Sequence, residues 1–112
     1  MILDPAAYER IARHLAGVYL TYEDERLMAR SRGVEPHRSA KVTAAWRDLL
    51  MACATIGTVL DVTPLHVRSL VLSMADRDRP SPYSPKWRVD WVSMVTGPLA
   101  HELESMIEGV RR

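Results

Sequence analysis

Apolar side chains recur every three or four positions along almost the whole chain, and that period predicts helices. Asp4 is placed to cap a first helix and Pro5 to start it. Tyr8, Ile11, Ala12, Leu15, Val18, Tyr19 and Tyr22 then fall on one stripe. Two endings are open. The helix either continues to Arg32 with Gly33 as its stop, or breaks near Thr21, where Thr21 and Asp24 imitate a capping box. Ser39 or Glu35 caps a second helix with the cleanest amphipathic pattern in the chain: Val42, Ala45, Trp46, Leu49, Cys53, Ile56 and Leu60. A third helix runs from Pro64 to about Asp76 and buries Val67, Leu70, Val71 and Met74.

Three prolines between Arg79 and Pro85 predict a stiff, extended connector. Beyond it, Trp87, Val89 and Trp91 alternate with Arg88 and Asp90 as a strand would. Against a strand, Ser84-Pro85 is a helix start, and Trp87, Trp91 and Val95 are spaced by four, so a helix from Pro85 to Thr96 is expected. Gly97-Pro98 is expected to break or kink it. A last helix then carries Leu99, Leu103, Met106, Ile107 and Val110 on one side, with Glu102, Glu104 and Glu108 mostly on the other. The expected fold is all-α: a small bundle of four to five helices forming one domain over residues 1–112.

One stretch points to a biochemistry. From Ile56 to Leu70 the chain reads Ile-Gly-Thr-Val-Leu-Asp-Val-Thr-Pro-Leu-His-Val-Arg-Ser-Leu, a helix, a tight turn and a helix. Ile56 and Leu60 lie one turn apart on the first helix, as Val67 and Leu70 do on the second. Val62 is placed to plug the angle between them, and Gly57 to permit close approach. Thr63 is a good cap, and Pro64 suits the first helical position. Over residues 53–73 this resembles the helix-turn-helix superfamily, in which a Leu-Gly-Val-Thr/Ser-Pro wording before Val-Arg is common. The resemblance implies double-stranded DNA as partner: Arg68 and His66 at base edges, Thr63 and Ser69 positioning the helix, and Arg38 and Lys41 neutralising phosphates. It also implies a dimer or a second contact for useful affinity. Asp61 departs from the glycine usual there, at a position that often takes positive φ. Leu65 and Leu72 fall on or beside the outward face, and the chain has no Asn or Gln to read adenine. The plainer alternative is a helical corner in a core.

Composition narrows the remaining classes. The chain is 47% hydrophobic and 26% charged, ordinary for a soluble domain with a real core. Thirteen Arg against two Lys point to a GC-rich genome. The net charge of +1 is too small to predict a polyanion partner by itself, but the charge is uneven. Residues 1–25 carry −3, from Asp4, Glu9, Glu23, Asp24 and Glu25 against Arg10 and Arg13. Residues 26–48 carry +4, from Arg26, Arg30, Arg32, Arg38, Lys41 and Arg47 against Glu35 and Asp48. The basic block surrounds an expected loop at 33–36 and either touches phosphate or pairs with the acidic block before it.

Catalytic signatures are missing. His14, His37, His66 and His101 have no partner at metal-ligand spacing, and Cys53, the single cysteine, reads as a small buried residue. His101-Glu102 opens like a zinc-protease motif but has Ser105 where the second histidine is needed. Glu23-Asp24-Glu25 is an acidic cluster with no second cluster to complete a magnesium site. No glycine-rich phosphate loop or nucleophile elbow occurs. A non-enzymatic protein without metal or small-molecule cofactor is expected. No apolar run reaches the ~20 residues of a membrane span, and the start of the chain lacks a signal-peptide pattern, so no membrane partner and a cytoplasmic location are expected, in host cytoplasm or virion if the source is viral.

The rival to DNA binding is an all-helical adaptor or assembly protein, such as a component of a phage or other multi-subunit particle, that self-associates or binds a protein partner. Its expected contacts are Tyr83, Trp87 and Trp91, since aromatic residues are enriched at interface hot spots. The two readings divide on exposure. DNA binding needs His66, Arg68, Ser69 and Ser73 open on one ridge with Arg38 or Lys41 on the same side. Assembly needs the third helix buried on both faces and the Trp cluster or the final helix exposed and apolar.

Overall fold

A computed structural model describes residues 4–77 and 87–111, with side chains described over 4–74 and 91–107. It is all-α. Four helices, α1 (Pro5–Ser31), α2 (Ala40–Leu60), α3 (Pro64–Arg77) and α4 (Trp87–Arg111), and one short 3₁₀ turn (Pro36–Arg38) account for the elements, with no strand among the described residues. The long α1 lies between α2 and α4, and α3 folds back from α2 onto the same core. The bundle is elongated, 49 × 26 × 19 Å.

Each helix start is set by local chemistry. The Asp4 carboxylate accepts from the Ala6 N–H at 3.2 Å, with Pro5 in the first turn. The Ser39 hydroxyl accepts from the Val42 N–H at 3.4 Å, so Ser39 and not Glu35 caps α2. The Thr63 hydroxyl does the same for His66 at 3.4 Å, ahead of Pro64. The first helix does not break at Thr21, whose hydroxyl instead donates to the Gly17 carbonyl at 3.1 Å inside the continuous α1. Gly33, at φ 72°, ends that helix: Val34 N–H reaches Ala29 O at 2.9 Å and Gly33 N–H reaches Arg30 O at 3.0 Å, the paired bonds of a Schellman motif.

The core is drawn from the expected stripes. Leu15, Leu49, Val67, Met74, Leu99 and Leu103 are fully enclosed, with Tyr8, Ala12, Cys53, Ile56, Leu60 and Val71 around them. A row of aromatic rings crosses the bundle. Trp91 of α4 meets Tyr19 of α1 at 5.6 Å, Tyr19 meets Tyr22 at 6.2 Å, and Tyr22 meets Trp46 of α2 at 5.1 Å.

Trp87–Trp91 is helix, as its spacing by four predicts, and one expectation for the C-terminal third is corrected: α4 passes through Gly97-Pro98 without dividing into two helices. The reason is the core stripe. Trp91, Val95, Leu99 and Leu103 are buried at successive i,i+4 positions on both sides of the proline, and Ile107 continues the series. Pro98 removes one N–H from the helix ladder, the bond to the Met94 carbonyl. Both Met94 and Pro98 are exposed, so water can satisfy that oxygen. The expected start of this helix at Pro85 lies outside the described residues. No single helix among the described residues is long and apolar enough to cross a membrane.

Candidate nucleic-acid interface

The α2–α3 corner is built as the residue pattern requires. The chain turns by 119° between α2 and α3 through three residues, Asp61 to Thr63, within the roughly 90–120° of helix-turn-helix corners. Asp61 adopts φ 57° and ψ 46°, the left-handed conformation that lets the chain leave α2 sharply. Its N–H and that of Val62 both return to the Gly57 carbonyl, the second at 2.9 Å. Gly57 is where the turn presses on α2. A Cβ there would lie 2.7 Å from the Val62 carbonyl oxygen, closer than real contacts allow, and 3.2 Å from the Pro64 nitrogen, tighter than most. Val62 is half-buried in the angle, and Val67, Val71 and Met74 pin the inner face of α3 to the core.

The outer face of α3 is open. Leu65, His66, Ser69 and Ser73 are exposed, as is Thr63 at its start, while Leu70 and Leu72 are half-buried. Leu65, at 56% exposure, is among the most open large apolar side chains of the protein. A helix buried all round is therefore not what α3 is. Asp61, Val62, Thr63 and His66 line a shallow cleft of about 370 Å³ at the mouth of the corner.

Arg68 is placed differently from expectation. It is half-buried, lying over α2 close enough to Cys53 for its charge to favour the thiolate. Burial acts more strongly, so the Cys53 thiol is pushed above its ordinary value. Position 68 lies on the flank of the exposed ridge, turned toward α2, because residues 67 and 71 must face the core and 68 follows directly on that side.

The expected phosphate contacts are not beside α3. Arg38 and Lys41 are exposed, but they lie at the opposite end of α2 from the corner, about 28 Å away along the helix at ~1.5 Å per residue. Arg38 also lies 3.8 Å from Glu35. The 21 residues of α2 are what separates them. The structure thus brings Thr63, His66 and Ser69 together, puts Arg68 at their flank and leaves Arg38 and Lys41 remote.

The aromatic contact set is also corrected. Trp91 is only 3% exposed and packs on Tyr19, so it belongs to the core and not to an open hot spot. Trp87 lies in α4 with its side chain outside the described residues, and Tyr83 is outside them altogether. Among the described residues no group of three His, Cys, Asp or Glu is gathered to hold a metal. The chain matches no family model, no curated protein and no solved structure.

Proposed function

We propose that this protein is a non-catalytic DNA-binding protein that lays α3 in a major groove. The observation that carries the reading is the corner itself: a 119° turn with an outer α3 ridge of Thr63, His66, Ser69 and Ser73 open to solvent. His66 is the first side chain to meet a base edge, with Ser69 one turn further along the groove. Arg68 reaches a flanking phosphate or base by swinging away from Cys53, while Thr63 and the first turn of α3 face a phosphate with their N–H groups. With so few cations at the ridge, affinity is modest and salt sensitivity shallow, at ~0.9 in the log–log slope for each phosphate neutralised.

Fluorescence anisotropy with a mixed-sequence duplex, across a salt series, tests this. The expected result is binding at low salt that weakens in both Arg68→Ala and Ser69→Ala while Arg38→Ala, remote from α3, binds like wild type. An absence of low-salt binding, or a loss confined to Arg38→Ala, overturns the α3 reading.

A second reading, the helical adaptor or assembly protein, is favoured by one different observation. The run from Leu49 to Leu60 has no charged residue, and it leaves Met51 64% and Val59 57% exposed on the outer side of α2. On that reading α2, and not the tryptophans, meets the protein partner, and sedimentation of the chain alone would show self-association that Met51→Glu abolishes.

A further inference from the structure

The basic block that the α3 reading leaves unused folds into a cleft. At the end of the bundle away from the corner, α1, the 3₁₀ turn and the first half of α2 enclose about 460 Å³, within the ~300–1,000 Å³ usual for small-molecule sites. Its walls are Tyr22, Arg26 and Arg30 from α1, His37 from the turn, and Thr43 and Trp46 from α2, completed by Pro36 and Val42. No acidic side chain lines it.

The two arginines are under-used by the protein. Arg26 lies half-buried over the Tyr22 ring, 5.9 Å from its centre. Its only carboxylate contact among the described residues is Glu23 at 3.7 Å, and that carboxylate also accepts from the Tyr19 hydroxyl at 2.9 Å. The Arg26 Nε is shut off from solvent and meets no acceptor, while the rest of the guanidinium is held by Glu23 and Tyr22. Arg30, one turn further on, is exposed and pairs with no described carboxylate. Tyr22 and Trp46 provide the apolar side of the cleft, in ring contact at 5.1 Å with Trp46 half-buried.

The cleft is held in shape before anything binds. The Schellman motif at Ala29–Val34 fixes the end of α1 behind Arg30, Pro36 sets the turn that carries His37, and Ser39 caps α2 ahead of Thr43. Such preorganisation lowers the cost of binding.

We propose that this cleft binds a phosphomonoester attached to a flat ring, with Arg26 and Arg30 on the phosphate and Trp46 against the ring. Two permanent positive charges, Arg26 partly offset by Glu23 at 3.7 Å and Arg30 with no described carboxylate, suit a dianion better than a singly charged carboxylate. A free mononucleotide and the phosphorylated end of a single strand share this chemistry. The site is distinct from α3 and holds whether or not α3 reads DNA.

Calorimetric titration of the full chain with adenosine monophosphate, adenosine, inorganic phosphate, and 5′-phosphorylated and 5′-hydroxyl single strands tests the proposal, with amide shift mapping to locate the ligand. The expected result is that adenosine monophosphate binds, that adenosine and inorganic phosphate bind at least about tenfold more weakly, and that shifts centre on Arg30, Thr43 and Trp46. Arg30→Ala, at an exposed position, and Thr43→Glu, which adds a carboxylate where the hydroxyl bonds only its own helix at 3.1 Å, each weaken binding at least about tenfold with the melting temperature unchanged. Preference for the phosphorylated strand over the hydroxyl strand adds the nucleic-acid end as a source; indifference between them leaves the free nucleotide. Equal binding of adenosine and its monophosphate, equal binding of inorganic phosphate, no heat from any probe, or shifts centred on α3 would each overturn it.

Discussion

Replacing Gly57 by alanine tests the corner most directly. In an ordinary helix the change gains ~0.5–1 kcal/mol, because alanine loses less backbone freedom on folding. Here the new Cβ meets the Val62 carbonyl oxygen at 2.7 Å and the Pro64 nitrogen at 3.2 Å. Both are backbone atoms of a turn tied to residue 57 by a 2.9 Å hydrogen bond, so neither can give way as a flexible side chain would. Overpacking of this kind costs ~1–3 kcal/mol. Offset by the helix gain, the net loss is about 1–2 kcal/mol, a drop of roughly 3–8 °C in Tm for a domain of this size.

Gly17→Ala is the internal control. Gly17 lies in the middle of α1, and a Cβ added there meets nothing within 4 Å. The same chemical change should therefore stabilise by ~0.5–1 kcal/mol. Thermal and urea unfolding followed by circular dichroism measure both. Opposite signs are required: a Gly57→Ala protein that melts at or above wild type, or a Gly17→Ala protein that melts below it, would refute the reasoning. Because the clash is relieved by moving α3 off α2, Gly57→Ala should also weaken duplex binding without altering any side chain of α3.

Three other substitutions or conditions follow from particular contacts. Asp61→Gly removes a side chain from the left-handed region and should stabilise by ~0.5–1 kcal/mol in urea unfolding; it also removes a negative charge from the corner and should tighten anisotropy-measured duplex binding. Trp91→Ala empties a core position against Tyr19 and should cost ~3–5 kcal/mol by the same unfolding assay. Cys53 holds its proton more tightly folded than unfolded, because burial disfavours the thiolate. Above its ordinary value of 9.0 the unfolded chain ionises first, so this group's contribution to stability falls as pH rises past that point. Urea midpoints of wild type should accordingly decline faster above pH 9 than those of Cys53→Ala, and a thiol reagent should label native Cys53 far more slowly than the unfolded chain.

The features readable in advance were those decided within a few residues. Asp4-Pro5, Ser39 and Thr63-Pro64 announce helix starts because a cap satisfies N–H groups two or three positions on. Gly33, Asp61 and Gly57 announce stops and a close approach for equally local steric reasons. Gly97-Pro98 misled because the breaking power of proline is local, whereas what overrides it is burial of Val95 and Leu99 against α1, a tertiary effect. The interrupted helix and the continuous one share the same i,i+4 stripe, and only the core decides between them.

The site residues divide along the same line. The exposure of His66, Ser69 and Thr63 is legible because it follows from which face of α3 is apolar. Arg38 and Lys41 qualify as phosphate contacts by their charge, and charge carries no information about distance. The length of α2, which its stripe did announce, already set them about 28 Å from the corner at ~1.5 Å per residue. Trp91 shows the converse error: an aromatic residue is as suited to a core as to an interface, and only its Tyr19 contact separates the two. The cleft was the least legible feature. Tyr22 and Trp46 look like members of two core stripes, and Arg26 and Arg30 like parts of a solvated charge run. They become one surface only when α1 and α2 pack antiparallel across the loop at 33–36, which puts residues 20 positions apart in the chain on facing walls. A pocket made of ordinary residues from two helices has no motif, so its chemistry has to be sought in what the packing leaves over, here the Arg26 Nε without an acceptor and the Arg30 side chain without a described carboxylate.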